Sequence, residues 1–178
     1  MSAVKLVEVD APSPRRDADG AVVLDWWVDL CCPDVLESAE LLDELRDELG
    51  DRLVVRLRHL PLVSHVWAVA AAQCQLEAAA QGRGEEFAAH AIAQMETLEG
   101  PGDYVELAEH LGLDSDEVAV ALFDGRHAAA VKAEHDEGRA LGVTGTPTFV
   151  VDGLLVDAGD TLVGAKDAVL TRVRRALG

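Results

Sequence analysis

The chain has 178 residues, enough for one domain with a full core, and 49% of them are hydrophobic while only 4% are aromatic. A formal net charge of −18 argues against nucleic acid and against anionic membrane surfaces as partners. The acids are spread along the chain, as on solvated helix faces, and no apolar run is long enough to cross a membrane.

Met1–Gly20 has no apolar run and no small-residue cleavage site of the kind a secretory signal needs. The expected setting is therefore cytoplasmic, where thiols are kept reduced. Val4–Val9 alternates and predicts a short edge strand or arm, followed by a loop through Pro12, Pro14, Arg15 and Arg16. Ala21–Leu30 is a nearly continuous apolar run and predicts a central strand covered on both faces. Val35–Leu49, with apolar residues at 35, 36, 41, 42, 45 and 49 and Gly50 after it, predicts an amphipathic helix. Leu53–Leu60 reads as a second strand, which completes a right-handed βαβ unit.

The next eighty or so residues carry no strand signal. Helices are predicted over Ser64–Gln81, Glu85–Leu98, Asp103–Leu111, Asp114–Phe123 and Ala128–Leu141. The fourth opens on Asp114-x-x-Glu117, a capping-box pattern. Strands return at Pro147–Val151 and Leu154–Val156 around an Asp152-Gly153 turn, and a last helix runs from about Gly164 to Leu177. The order is β-α-β, a helical block, then β-β-α. The fold class is α/β, read as a single domain over 1–178 with a helical insertion at about 64–141 between the two halves.

Chemistry concentrates at Asp29-Leu30-Cys31-Cys32-Pro33-Asp34-Val35, where a strand ends and a helix begins. A sulfur at a helix N-terminus meets unpaired backbone N–H groups and the positive end of the dipole, which favour thiolate. Cys32 is accordingly the candidate nucleophile, and is expected to be more accessible than Cys74, which lies mid-helix. The alternative is a cysteine retained as a small apolar residue. Asp34 opposes reactivity, because a carboxylate near the sulfur raises its pKa. Asp29 is either a proton acceptor for thiol chemistry or a cap for nearby backbone N–H groups. His59 and His65 flank Pro61-Leu62, and a polar contact or a helix start suits both better than catalysis. No cysteine–histidine set has zinc-ligand spacing and no Gly-rich phosphate loop is present, so neither a metal nor a bound organic cofactor is expected.

Asp29-x-x-Cys32-Pro33, then Arg58-His59-Leu60-Pro61-Leu62 with His65, Leu111-Gly112-Leu113-Asp114, and Gly142-Val143-Thr144-Gly145-Thr146-Pro147-Thr148-Phe149 follow one another along the chain. Together they resemble the DsbA-like branch of the thioredoxin superfamily. The likeness is closest to thioredoxin-like domains found alone in bacteria or fused to sodium/proton antiporters. The resemblance implies a thioredoxin-like fold and a thiol–disulfide oxidoreductase. It also implies that Thr146–Pro147 is the family's cis-proline bond, holding the Thr146 backbone beside Cys32 to pair with an extended substrate.

The sequence departs from that pattern at Val35, where the family carries its second cysteine. Asp34 stands where Tyr or His is common, and Cys31 adds a thiol before the nucleophile. A mixed disulfide on Cys32 then has three exits. A low-molecular-weight thiol serving as co-substrate can release it, Cys31 can attack although adjacent cysteines close a strained ring, or Cys74 can attack if it lies nearby. The expected partners are protein or peptide thiols and disulfides, or a small thiol. Two other functions remain open: a peptide- or protein-binding module without redox turnover, and a thiol-conjugate transferase or isomerase.

Overall fold

Seven residues in a row with no exposed side chain form the strand on which the sheet is built. In the computed structural model, which describes residues 5–10, 15–157 and 162–178, this strand is β2 (Val22–Val28), and every one of its residues is buried. The elements run β1 (Lys5–Glu8), β2, α1 (Val35–Leu49), β3 (Leu53–His59), α2 (Ala68–Ala80), α3 (Gly84–Ala93), α4 (Pro101–His110), α5 (Ser115–Asp124), α6 (Ala128–Leu141), β4 (Thr148–Val151), β5 (Leu154–Asp157) and α7 (Leu162–Leu177). The fold is α/β, with no strand anywhere in residues 64–141. Of the N-terminal loop expected from sequence, Pro12 and Pro14 lie outside the described residues, as does Val4 of the arm.

The described chain divides into two compact units. One takes Asp29–Leu36 and His59–Asp136, and the other takes the rest.

The unit that takes the rest holds a five-stranded sheet in the order β1-β5-β4-β2-β3. The expected N-terminal edge strand is β1, paired antiparallel with β5. Asp152 and Gly153 both take positive φ, 47° and 76°, so a two-residue turn joins β4 to β5 and keeps the strand twist. Helix α7 packs on β2, β4 and β5, with Ala165, Val169 and Val173 buried at helical spacing. Helix α1 buries Leu41, Leu42, Leu45 and Leu49, and its Ser38 Oγ accepts a hydrogen bond of 3.0 Å from Trp26 Nε1 on β2. One charge sits inside this sheet: Asp25 on β2 is buried, and Arg56 of β3 meets its Oδ1 with Nε at 2.8 Å and Nη2 at 2.6 Å.

The unit of Asp29–Leu36 and His59–Asp136 is helical. Helix α2 packs on α3, α4 and α5, and its small residues Ala71, Ala72 and Ala78 allow close approach. Asp114 caps α5 by accepting from the Glu117 N–H at 3.1 Å, and Gly125 closes it at φ 70°. Helix α4 starts two residues earlier than the sequence predicts. Pro101 occupies its first turn, and Asp103 Oδ2 reaches back to the Glu99 and Gly100 N–H groups at 2.7 and 2.8 Å. The helix expected from residue 85 to 98 ends at Ala93 and continues only as a 3-10 turn over Met95–Thr97.

Arg56→Ala leaves the Asp25 carboxylate buried without its cation. We expect this to cost about 3 kcal/mol of stability, read as a lower urea midpoint at unchanged slope. A shift worth less than about 0.5 kcal/mol would show that Asp25 does not depend on Arg56.

Candidate active site around Asp29, Cys31 and Cys32

Strand β2 stops at Val28, two residues before the apolar run ends, and Asp29 is the cause. Its Oδ1 accepts the Cys31 N–H at 2.9 Å and its main-chain oxygen accepts the Cys32 N–H at 2.9 Å. These bonds fold Leu30 and Cys31 into a turn, so neither can continue the ladder. A second turn follows, in which the Cys32 carbonyl accepts the Val35 N–H at 3.1 Å. Helix α1 begins at Val35, so Cys32 precedes the helix by the exposed pair Pro33 and Asp34.

The other carboxylate oxygen of Asp29 works across a longer stretch of chain. Oδ2 accepts the Leu62 N–H at 2.8 Å and lies 2.8 Å from His65 Nδ1. The Asp29 side chain is wholly buried and has three donors. Of the two roles open for it from sequence, capping backbone N–H groups is therefore the one seen. The same contacts explain why α2 begins at Ala68 rather than Ser64. His65 is held on Asp29, its N–H bonds to the Leu62 carbonyl at 3.0 Å, and residues 62–67 stay in turns. His59 makes the polar contacts expected of it: its N–H donates to Glu134 Oε2, and its ring Nε2 lies 2.8 Å from Gln75 Oε1.

The thiols differ in setting. Cys32 is 5% exposed and Cys74 1%, so the accessibility gap expected between them is small. Cys31 is the more open thiol, half-buried, with its Sγ 3.2 Å from the hydroxyl of Tyr104 on α4. Burial pushes the Cys31 thiol up; the Tyr104 hydroxyl pulls it down, while the charges of Asp29 and Cys32 push it further up. Burial alone takes Cys74 to about 12, which makes it a poor nucleophile at neutral pH. Val35 is fully buried.

Five of the seven residues singled out from sequence, Asp29, Cys31, Cys32, Pro33 and Asp34, fall in one segment of the helical unit. Thr146 and Pro147 belong to the sheet unit. There the Thr146–Pro147 bond is cis, Pro147 is buried, and Thr148 Oγ1 donates to the Gly145 carbonyl at 2.8 Å. Sequence reasoning missed Tyr104 and the contact between His65 and Asp29. Tyr104 is the only tyrosine of the chain, and at an apolar position of a helix it reads as core. Among the described residues no group of three or more His, Cys, Asp or Glu side chains is placed to hold a metal ion. No described helix is long and apolar enough to cross a membrane.

The sequence model of the DSBA-like thioredoxin domain matches residues 23–170. A Na(+)/H(+) antiporter, NhaA 3 of Salinispora tropica, is 33% identical over 150 residues, which is 83% of this chain and 22% of that protein. NhaA 1 of Mycobacterium sp. (strain KMS) is 29% identical over 156 residues, 86% of this chain and 25% of the relative. The chain thus spans about a quarter of the length of these curated relatives. Among solved structures, BdbD from Bacillus subtilis superposes with a TM-score of 0.75 at 15% identity, covering 89% of this chain and 91% of that one. A thioredoxin-like oxidoreductase from Silicibacter pomeroyi superposes at 0.72 with 20% identity, covering 97% and 92%. At these identities the two structures speak for the fold.

Asp29→Asn removes a charge that raises the Cys31 thiol and weakens acceptors that three donors share. We expect the alkylation of Cys31 to set in at lower pH, and stability to fall by about 2 kcal/mol. Iodoacetamide labelling against pH, with peptide mapping, separates the two effects. An unchanged Cys31 profile would show that Asp29 acts on the fold alone.

Proposed function

We propose, because this chain belongs to the DSBA-like thioredoxin domain family, that it is a thiol–disulfide oxidoreductase in which Cys32 is the attacking sulfur and Val35 takes the place of a second active-site cysteine. The observation that carries the reading is the Cys31-Cys32-Pro33-Asp34 turn leading into α1. There Cys32 stands three residues before the first residue of α1, and its carbonyl accepts the Val35 N–H.

In this mechanism the Cys32 thiolate attacks one sulfur of a substrate disulfide. A mixed disulfide forms, and the other half leaves as a thiolate that takes up a proton. Asp29 holds the turn that presents the sulfur, through the Cys31 N–H. Thr146 and Pro147 are assigned the task of pairing with an extended substrate segment, on the likeness of the Gly142–Phe149 loop to the family's cis-proline loop. The Val35 side chain carries no sulfur, so the chain does not finish turnover through that position. A low-molecular-weight thiol is the proposed co-substrate that returns the enzyme to its starting state. A reaction that draws on such thiols suits the cytoplasm, where they are abundant and reduced, and that is the proposed setting. Protein or peptide disulfides are the proposed substrates.

A second reading is favoured by one observation. Val63, Val66, Trp67 and Val69 are exposed around the start of α2, an apolar surface that suits a peptide-binding module without redox turnover.

Insulin reduction and dithiol-peptide oxidation, with and without an added small thiol, decide between the two. Wild-type activity should depend on the small thiol and fall to background in Cys32→Ser. Val35→Cys should create a Cys-x-x-Cys pair, form an internal disulfide and turn over without the small thiol. Activity that survives Cys32→Ser would refute the mechanism. Activity confined to Val35→Cys would favour the binding module.

A further inference from the structure

A mixed disulfide on Cys32 must be opened by some sulfur before the site can act again. Val35 supplies none. Cys74 sits in the middle of α2, 1% exposed, with its thiol pushed up to about 12 by burial. Cys31 is different on every count. It is the neighbour of Cys32 in the chain, it is half-buried where the other two cysteines are buried, and its sulfur faces a hydroxyl group.

We propose that Cys31 is the resolving thiol of this site, and that the Tyr104 hydroxyl positions it to attack a mixed disulfide on Cys32. This rests on the reading of Cys32 as the attacking sulfur.

Tyr104 is 1% exposed, and burial together with the Cys31 contact holds its phenol above its ordinary pKa. It therefore keeps its proton and donates it as a hydrogen bond to whatever charge gathers on the Cys31 sulfur. At rest that sulfur stays protonated, since burial and the charges of Asp29 and Cys32 all oppose the thiolate. A Cys32 sulfur tied in a mixed disulfide carries no charge. One of the forces against the Cys31 thiolate then disappears, while the Tyr104 donor remains.

The atoms and electrons balance in two steps. Cys32 attacks a disulfide R–S–S–R′, the Cys32–S–R bond forms, and R′S⁻ leaves with the electron pair of the broken bond and is protonated by solvent. Cys31 then gives its proton to solvent and attacks the Cys32 sulfur. The Cys31–Cys32 bond forms and RS⁻ leaves, to be protonated in turn. The substrate disulfide has gained two electrons and two protons, and the cysteine pair has lost them. A disulfide between adjacent residues is strained, and strained disulfides are readily reduced. Two molecules of a low-molecular-weight thiol restore both cysteines and leave as their own disulfide. The demand for a small thiol therefore persists, but it falls on the Cys31–Cys32 disulfide rather than on the substrate adduct.

The test uses one equivalent of an aromatic nitrobenzoate disulfide that releases a coloured thiol, followed by intact mass and peptide mapping. In wild type both coloured halves should be released. The protein should be lighter by two hydrogens, with the lost pair on the peptide carrying Cys31 and Cys32. Cys74→Ser should behave the same way. Cys31→Ser should release one half and keep the other as an adduct on Cys32. In Tyr104→Phe, which keeps the ring, the second release should slow about fivefold to tenfold through loss of one hydrogen bond. The wild-type measurement needs no variant to fold. A wild-type adduct as long-lived as that of Cys31→Ser, or a product disulfide that maps to Cys32 and Cys74, would overturn this proposal alone. Uptake in Cys32→Ser at the wild-type rate would instead overturn the Cys32 reading, and this inference with it.

Discussion

A buried carboxylate has to find hydrogen-bond donors or a cation, and Asp29 finds three donors in two stretches of chain far apart in sequence. One oxygen takes the Cys31 N–H. The other takes the Leu62 N–H and meets His65. That single side chain fixes the turn carrying both sulfurs and the turn leading into α2. It also places a negative charge near Cys31 that makes its thiolate harder to form. Geometry and reactivity thus pull against each other at one residue. The carboxylate that shapes the loop is also a brake on the thiol it positions, and the Tyr104 hydroxyl works against that brake.

Much of the fold was legible from hydrophobic periodicity. Helix α1 and helix α6 fall where the apolar spacing puts them, because each has an uninterrupted amphipathic pattern with a glycine beyond its end. The hairpin at Asp152-Gly153 was legible because few residue pairs accept two positive φ angles. What periodicity missed were places where one side chain overrides it. Val28, Asp29 and Leu30 read as a single apolar run broken by one acid, yet the strand ends at that acid because its carboxylate bonds to the chain just ahead. Ser64–Trp67 reads as the first turn of a helix, yet His65 is held elsewhere. Asp103 reads as a helix start, yet its carboxylate caps N–H groups behind it and Pro101 opens the turn.

The site was legible in part for the same reason. Cys32 and its neighbours announce themselves by local order: a strand end, a sulfur, a proline and a helix. Tyr104 does not, because its partner is seventy-three positions away in the chain and nothing in its own surroundings distinguishes it from a core aromatic. Asp34, expected to weigh on the Cys32 thiol, stands exposed. The charges that act on Cys31 come from Asp29 and from its neighbour Cys32. Contacts between residues distant in sequence, chosen by the packing of helices, leave no periodic trace.

The solitary status of Tyr104 has a practical side. A chain with one tyrosine, set with its hydroxyl against Cys31, carries a spectroscopic label in its own composition. Fluorotyrosine incorporated during growth would give a single fluorine resonance from inside this site. Its frequency would follow the chemical state of the neighbouring sulfur in real time, without a dye, a tag or a substitution.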